Sequence, residues 1–529
     1  MSGWNRSRLL AGLVIIGLFV GCQKQEEPSS ESVLRISQRN EPGVLDPALA
    51  TLPDEFFIIR ALSEGLVSPS PDSGPEIAAA AESWDVSADG LTYTFHLRPN
   101  ATWSNGESVT AFDFLASYRR VLSPLTAAPK ANLFFLVKGA ENFYRGELTD
   151  FTQVGFAVID PQTLRITLAH PAPQFLAYVA SGPWIPVNPR TVAQHGRWAT
   201  PQNYVGNGPF TWIDWKPNQH ITVRRRADYW DADRVLVDAI RFQAFDNGDA
   251  EERAYRAGQI DITMSVPFTK IAGYAAQPET PLRQIPLHET RFLAFNTQRA
   301  PLNDVRVRRA LTLAIDRQAI TDHVLRGRQT AATHFVPEGL GGFHSGQLLL
   351  ENADEARRLL AESGFPQGKG FPLLEMTGWS QSAVLEAVQA MWKKELGITV
   401  NIGVRDAKVH VSDLTNGRYD IGFITAIPDI ADPIDLLKDL STGATNNYSQ
   451  WSNTEYDTLL EQSDHLTSAA ERLALLAQAE AIISEHCPIA PLYFNAKNIL
   501  QRNTVNNWQE DALWTRFYKD VSIKSPELN

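Results

Sequence analysis

The stretch "LEMTGWSQSAVLEAVQAMWKKELGITVNIGV", Leu374 to Val404, predicts the fold class of the protein. It begins with a short strand pattern, continues as a helix and ends with a second strand pattern. A strand, a helix and a strand in this order form a βαβ unit, in which the two strands usually lie parallel in one sheet. The stretch therefore predicts a layer of α/β structure.

The segments on either side extend this mixed pattern. "YDIGFITAI", Tyr419 to Ile427, predicts a buried strand, and "GPFTWIDWKPNQHITVRRR", Gly208 to Arg226, predicts a hairpin whose last three arginines form a solvated edge. The segment from Asp304 to Leu325 predicts one long amphipathic helix with arginines on its outer face. A further helix is expected between Asn352, as its N-cap, and Gly364, just past its end.

Length and charge limit the class of protein. A chain of 529 residues is too long for one ordinary core, so two or three domains are expected. The formal charge of −12 argues against nucleic acid as a partner, because phosphate binding needs dense lysine and arginine. An acidic protein of this kind suits neutral or cationic ligands better.

Motifs for catalysis are missing from the sequence. It contains no G-x-S-x-G elbow, no H-E-x-x-H pair, no Walker loop and no G-x-G-x-x-G after a strand. The glycine-rich segment from Gly339 to Gly346 is interpreted as a flexible surface loop and not as a phosphate cradle. Cys487 follows His486, and a buried inert thiol is the favoured interpretation over a nucleophile. We therefore predict no enzyme activity, no catalytic residue, no metal site and no cofactor.

The N-terminus resembles a bacterial lipoprotein signal. Arg6 and Arg8 precede an uncharged run from Leu9 to Gly21, which is too short to span a bilayer but suits a signal peptide. A small residue directly before Cys22 resembles a lipobox, although Phe19 stands where leucine is usual. We expect residues 1–22 to be a signal peptide ending at a lipidated Cys22, and residues 23–32 to be a polar tether. An ordinary secretory signal is the alternative.

Three aspartates recur every third residue in "FITAIPDIADPIDLL", Phe423 to Leu437. The spacing fits a helix start, a metal site or a carboxylate that waits for a cationic ligand. Asp432, Pro433 and Asp435 fit the N-cap, the first-turn proline and the third-position acid of a helix. Asp429 is then the remaining acid, in a loop after a strand, where α/β proteins commonly bind ligands.

Several blocks together resemble one family. "LTYTFHLRPNATWSNGESVTAFDFLASYRRVLSP", "GNGPFTWIDW", "RADYWD", "PLNDVRVRRALTLAIDR" and "IAPLYF" are similar, in order and spacing, to the oligopeptide-binding lipoproteins of ABC importers, solute-binding protein family 5. The resemblance implies an α/β, two-lobed, three-domain periplasmic-binding-protein type II fold that closes by hinge motion. It implies domain I at 33–55, 178–280 and 495–529, domain II at 56–177 and domain III at 281–494.

The resemblance also implies where the ligand binds. By position, Asp429 neutralises the amino terminus of a peptide, and the loop with Glu41, Pro42 and Gly43 bonds to its backbone. Phe292 falls on an aromatic position that lines the cleft, although core packing explains it equally well. The candidate ligand-binding residues are Asp429, Glu41, Pro42, Gly43, Phe292, Ala426 and Ile427.

Two departures from the family leave the ligand open. Ala426 stands where peptide-binding members often have tryptophan, and Phe423 where some have an arginine that takes the peptide's carboxylate. The cleft is expected to be wider, or its ligand not a standard tripeptide. Murein peptide, dipeptide or another cationic solute stay as alternatives, as do a lipid-anchored sensor and a hydrolase without a transport role.

The resemblance also implies the binding partners and the cellular location of the protein. The expected partners are a peptide ligand, and a permease with its ATPase. The chain is expected to be a monomer, held at a bacterial membrane by a lipid anchor only, in the periplasm or on the cell surface.

Overall fold

The computed structural model describes residues 31–38, 41–72, 74–379 and 382–524 of the chain. The predicted signal peptide with Cys22, and most of the predicted tether, lie outside the described residues. Each of the three large sheets contains strands of only one of the predicted domains, apart from the C-terminal half of the strand Ile489–Leu500.

The first sheet has four strands in the order Val33–Gln38, Ala239–Ala244, His220–Arg225 and Phe210–Lys216. The first two pair in parallel, and the other pairs are antiparallel. The last two strands form the predicted hairpin, which is confirmed.

The second sheet also has four strands, all antiparallel, in the order Ala81–Val86, Thr92–Leu97, Thr163–Thr167 and Phe156–Asp160. The helix Ala111–Leu122 lies beside it and begins at Thr110, whose N–H and hydroxyl both donate to the Asp113 carboxylate. This arrangement satisfies donors at the helix start that would otherwise be unpaired.

The third sheet has six strands in the order Thr330–Ala331, Ile489–Leu500, Leu282–Phe295, Ile421–Ala426, Leu374–Gly378 and Val400–Val404. Its last two strands pair in parallel and are joined by the helix Ser382–Leu396, so the predicted βαβ unit is confirmed. Trp392 of that helix is fully buried and its indole N–H donates to the Leu311 carbonyl at 2.8 Å, which holds the helix against the helix Val305–Leu313.

The remaining elements are helices and short antiparallel strand pairs. Among the described residues, the other α-helices of four residues or more are Pro53–Leu62, Ala140–Tyr144, Phe175–Val179, Pro189–Gln194, Gly248–Arg256, Phe268–Ala275, Val305–Leu313, Ala353–Glu362, Ala407–Thr415, Pro433–Lys438, Thr454–Asp464 and Ala469–His486. Short antiparallel pairs are Val67–Ser68 with Ile77–Ala78, Val505–Asn506 with Ser522–Ile523, and Gln509–Glu510 with Arg516–Phe517.

Two strands join the lobes. Leu282–Phe295 and Ile489–Leu500 pair from Leu282 with Leu500 to Ala294 with Ile489, and Gln501 bridges to Ile262 beside the first sheet. The first and second sheets with their helices form one lobe, and the third sheet with its helices forms the other. The two lobes are therefore connected through continuous strands, while the predicted domain boundaries stay predictions.

The long helix predicted from Asp304 to Leu325 is wrong. The helix Val305–Leu313 ends, and the Asp316 carboxylate accepts the N–H of Ala319 to begin a new turn, which continues as the π-helical turn Ile320–Leu325. An aspartate side chain that accepts a nearby backbone N–H in this way interrupts one helix and begins the next.

The prediction that the arginines are solvated is wrong for two of them. Arg308 is 4% exposed and donates to the carbonyls of Leu302, His486 and Cys487. Arg226 is 3% exposed and donates to backbone carbonyls that include those of Trp103 and Gly208, whereas Arg224 and Arg225 are exposed. Sequence spacing does not separate a guanidinium bonded to buried carbonyls from one in water.

The glycine-rich segment from Gly339 to Gly346 lies largely at the surface, as predicted, but two of its side chains anchor it. Leu340 and Phe343 are buried, and Gly341 lies against the loop that precedes Pro433. A Cβ at Gly341, where φ is +57°, would lie 2.6 Å from the Ala431 carbonyl oxygen. Glycine is needed here both for the positive φ and for the close approach.

Candidate ligand-binding site

A cavity of about 290 Å³ lies between the two lobes. One wall is the N-terminal part of the helix Pro53–Leu62 with residues near Gly182, and the opposite wall is the loop 427–431. Its lining carries four charged side chains, which are Arg60, Glu76, Lys130 and Asp429. A cavity of this size and composition suits a small polar solute, since ligand sites begin at about 300 Å³.

Asp429 lies in the loop that follows the strand Ile421–Ala426, as predicted, and it lines this cavity. Its carboxylate forms an ion pair with Lys130, which comes from the opposite lobe. The Asp429 side chain is 36% exposed and that of Lys130 is 21% exposed, so both remain accessible to solvent or a ligand. Sequence analysis missed Lys130, because no local pattern connects residues 299 positions apart.

Two further carboxylates lie close to Asp429. The Asp435 carboxylate accepts the backbone N–H of Asp429. Burial, with the nearby negative charge of Asp429, raises the pKa of Asp435 to about 8. Burial and the same charge raise the pKa of Asp439 to about 6, although a hydrogen bond from Asn446 partly offsets the rise.

Asp432 has the predicted N-cap role. Its carboxylate accepts the N–H of Ile434 at the start of the helix Pro433–Lys438. Both of its oxygens also accept from the Arg472 guanidinium at 2.8 Å, and both side chains are buried. Asp432 therefore has a structural role, and it is only 5% exposed.

A second cavity, of about 220 Å³, adjoins the first through Ile427. Phe292 and Ala426 line it, together with Asp439 and Tyr448. Phe292 is also buried and contacts Phe335 edge to face at 5.5 Å, so it packs in the core and lines a cavity at once. The small side chain of Ala426 leaves this space open.

The loop with Glu41, Pro42 and Gly43 lies apart from these cavities and lines neither of them. The Glu41 carboxylate accepts the indole N–H of Trp215 and the backbone N–H of Asn218. Pro42 is buried and Gly43 is exposed. Of the predicted residues, the structure thus brings together Asp429, Ile427, Ala426 and Phe292, and places Glu41, Pro42 and Gly43 elsewhere.

One edge of the strand Ile421–Ala426 is only partly paired. On one side it pairs along its whole length with Leu282–Phe295. On the other side, the ladder to Leu374–Gly378 ends at Gly422, although the Phe423 carbonyl accepts from His410 at 2.9 Å. Among the described strands, residues 424–426 therefore have a free edge that can pair with an extended chain.

A third cavity, of about 310 Å³, shares Glu76, Ala431 and Leu513 with the first. The glycine-rich segment contributes Gly339, Gly341 and Gly342 to its lining. The first and third cavities lie between the lobes, and the second opens beside the first within the second lobe.

No group of three or more histidine, cysteine or carboxylate side chains in the described part of the chain could hold a metal ion. Within the same residues, no helix combines the length and the apolar character needed to cross a membrane.

Two lobes joined by long strands, with a groove between them, define the class of extracytoplasmic solute-binding proteins. The family model of bacterial extracellular solute-binding proteins, family 5, matches residues 77–448. The chain belongs to this family, whose members are solute-binding proteins and not enzymes, and whose place is outside the cytoplasm.

Known relatives agree with this assignment. The chain is 32% identical to the oligopeptide-binding protein OppA of Bacillus subtilis, with 89% of each chain covered. It is also 32% identical to the probable deoxycholate-binding periplasmic protein YgiS of Escherichia coli, with 88% of each covered. The structure of the Escherichia coli murein tripeptide binding protein MppA superimposes with a TM-score of 0.83 at 29% identity, covering 94% of this chain and 99% of that one. The two-lobed fold is thereby confirmed.

Proposed function

We propose that the protein binds oligopeptides in the groove between its lobes and delivers them to the permease of an ABC importer. Family membership and the names of relatives that bind oligopeptides and murein tripeptide support this function. The observation that carries the proposal is the accessible Asp429 carboxylate at the wall of the interlobe cavity.

The charges near Asp429 favour one more cation. At pH 7, Asp435 is largely protonated and Asp439 largely ionised, because their pKa values are about 8 and about 6. Asp429 and Asp439 both lie at this end of the groove, where Lys130 is the cation paired with Asp429. The α-ammonium group of a peptide supplies a second positive charge here, either beside Lys130 or in its place.

The peptide backbone needs partners that do not depend on sequence. The free strand edge at residues 424–426 offers main-chain groups to an extended peptide. The cavity beside Ala426 offers space for a side chain, and water in it can satisfy polar groups of different shapes. We also propose that the peptide backbone contacts Glu41, Pro42 and Gly43, and that these contacts form only with further movement of the lobes.

The remaining parts of the proposal concern place and assembly. We infer a lipid anchor at Cys22 from the lipobox-like sequence before it. The partners would be one permease and its ATPase, and the protein would act as a monomer without catalytic activity.

Calorimetry on the full mature chain, after removal of any co-purified ligand, tests the function. One tripeptide is compared with its N-acetylated form, on the wild type, on Asp429→Asn and on the control Asp354→Asn, which removes an exposed carboxylate of the same lobe. We expect Asp429→Asn to weaken binding of the free amine by about 1.5–3 kcal/mol, the scale of a charge-assisted hydrogen bond. The control should bind as the wild type does.

Two outcomes would contradict the proposal. Equal affinity of the wild type for the free and the acetylated peptide would refute the ammonium assignment. Tight binding of deoxycholate, with no binding of any peptide in a mixed library, would refute the peptide function.

A further inference from the structure

Arg60 is a cation in the wall of the interlobe cavity. It lies on the helix Pro53–Leu62, between this cavity and a neighbouring one of about 440 Å³. Its Nη2 donates to the Ala180 carbonyl at 3.0 Å. Among the described residues, no carboxylate oxygen lies within 4.0 Å of its guanidinium nitrogens.

The fully buried arginines of this chain have more protein partners than the half-buried Arg60. Arg226, Arg472 and Arg516 each pair with a carboxylate. Arg308 has no such partner but donates to three carbonyl groups. A guanidinium has five donors, and Arg60 uses one of them on a single neutral acceptor. The difference indicates that the remaining donors of Arg60 are available to a ligand.

The surroundings of Arg60 also favour an anion. Burial lowers the pKa of its guanidinium, and Asp511 offsets this only in part. Arg60 is half-buried, and a partly dehydrated cation is stabilised when an anion enters the cavity. Lys130, the other cation of the lining, is already paired with Asp429, so Arg60 is the cation that is left for a ligand's acid group.

The position where some relatives carry a carboxylate-binding arginine cannot fill this role here. Phe423 stands at that position, is fully buried and contacts Trp379 at 5.9 Å between ring centroids. Its side chain belongs to the core of the second lobe, and it lines none of the three cavities described above. A carboxylate of the ligand therefore needs a different partner.

We propose that Arg60 binds the carboxylate of a short zwitterionic ligand whose ammonium group lies at Asp429. This inference rests on the proposed function and adds the second end of the ligand to it. The planar guanidinium of Arg60 donates two parallel hydrogen bonds to the carboxylate, an arrangement that a lysine cannot reproduce. Both charged ends of the ligand are then held in one cavity of about 290 Å³, which selects short peptides.

The test compares one tripeptide with its C-terminal amide, by calorimetry on the full mature chain. The variants are Arg60→Gln, Arg60→Lys, Lys130→Met and the control Arg145→Gln, which removes an exposed arginine away from the groove. We expect the wild type and the control to bind the free acid about tenfold to a hundredfold more tightly than the amide. Arg60→Gln should abolish this preference and leave the preference for a free over an acetylated amine intact.

Arg60→Lys guards against a purely structural effect. This variant keeps the positive charge but loses the planar guanidinium with its two parallel donors. We therefore expect a reduced preference for the acid and an unchanged affinity for the amide. Weaker binding of the amide by Arg60→Lys would indicate a structural role and overturn the inference.

Other results separate this inference from the proposed function. A wild type that binds the tripeptide but does not distinguish acid from amide overturns the inference and leaves the function standing. If the preference for the free acid over the amide survives in Arg60→Gln and disappears in Lys130→Met, the ligand's carboxylate binds Lys130. This result also overturns the inference. Failure of all peptides to bind overturns both.

Discussion

The contacts within the first lobe differ from those across the groove. Between the first and second sheets, the buried Arg226 donates to carbonyls on both sides of the boundary, and Glu64 accepts from Trp230. Across the groove, the described polar contacts include the accessible pair of Lys130 and Asp429 and a bond from the His288 N–H to the Ala512 carbonyl, beside a ring contact of His170 with His465 at 5.4 Å.

The difference separates buried contacts, whose partners nothing else can replace, from accessible contacts, in which water or a ligand can replace a partner. Removing either partner of a buried contact leaves the other unsatisfied, and this costs several kcal/mol. An exposed ion pair contributes only about 0–1 kcal/mol, because water or another charge can take the place of either partner. The first lobe is thus held as one body, whereas the groove presents groups that a ligand can take over.

The largest effect is expected for the buried arginine at the fixed boundary. Arg226→Met leaves the carbonyls of Trp103, Gly206 and Gly208 without their donor, and it should destabilise the protein by about 3–5 kcal/mol in urea unfolding. The neighbouring Arg225→Met removes an exposed arginine paired with Asp238, and it should cost less than about 1 kcal/mol. Equal losses for the two variants would refute the distinction.

The next effect compares two aspartates of one loop. Asp432→Asn leaves the buried Arg472 without its counter-ion, so we expect a loss of about 2–3 kcal/mol in the free energy of unfolding. Asp429→Asn should change it by less than about 1 kcal/mol, since its partner is accessible. Chemical denaturation of both variants without ligand gives the comparison, and a larger loss for Asp429→Asn would contradict it.

A smaller effect is expected at Lys130. Lys130→Met removes the internal competitor for the Asp429 carboxylate and leaves more negative charge at that end of the cavity. Affinity for a peptide with a free amine should rise by about threefold to fivefold, or up to about 1 kcal/mol. Lys138→Met, which removes an exposed lysine of the same lobe, serves as the control in calorimetry. A loss of affinity in Lys130→Met would show that the lysine itself binds the ligand.

The last effect concerns pH and is measured as a shift in Tm. The pKa of Asp435 is raised to about 8, so the folded protein keeps a proton that the unfolded chain releases near pH 4. This contribution to stability is fully present below about pH 4 and is lost as the pH rises through about 8. Asp435→Asn should make stability less dependent on pH. Between pH 5 and pH 8, its Tm should rise by about 2–4 °C relative to that of the wild type. An unchanged slope in thermal scans would contradict the assignment.

Local patterns predicted much of this structure. The βαβ unit at Leu374–Gly378 and Val400–Val404, the hairpin and the Asp432 cap all depend on neighbouring residues, and each is confirmed. The resemblance to a family supplied the two-lobed arrangement, which periodicity alone does not contain. The single long helix after Asp304 failed because Asp316 starts a new turn, although the apolar spacing continues through it.

The candidate site was harder to predict for a physical reason. Asp429 could be separated from Asp432 because a helix start accounts for the latter. Its partner Lys130 and Arg60 come from segments far away in sequence, and only the fold brings them to one cavity. The burial of Arg226 and Arg308 was missed for the same reason, since their carbonyl partners lie in distant segments.

The most direct test of the central claim is a crystal structure of the protein with a tripeptide that has a free amine. The account predicts that the ligand's ammonium nitrogen lies at hydrogen-bond distance, about 2.7–2.9 Å, from a carboxylate oxygen of Asp429. A peptide whose amino terminus lies elsewhere in the groove, with Asp429 still bound only to Lys130, would contradict it.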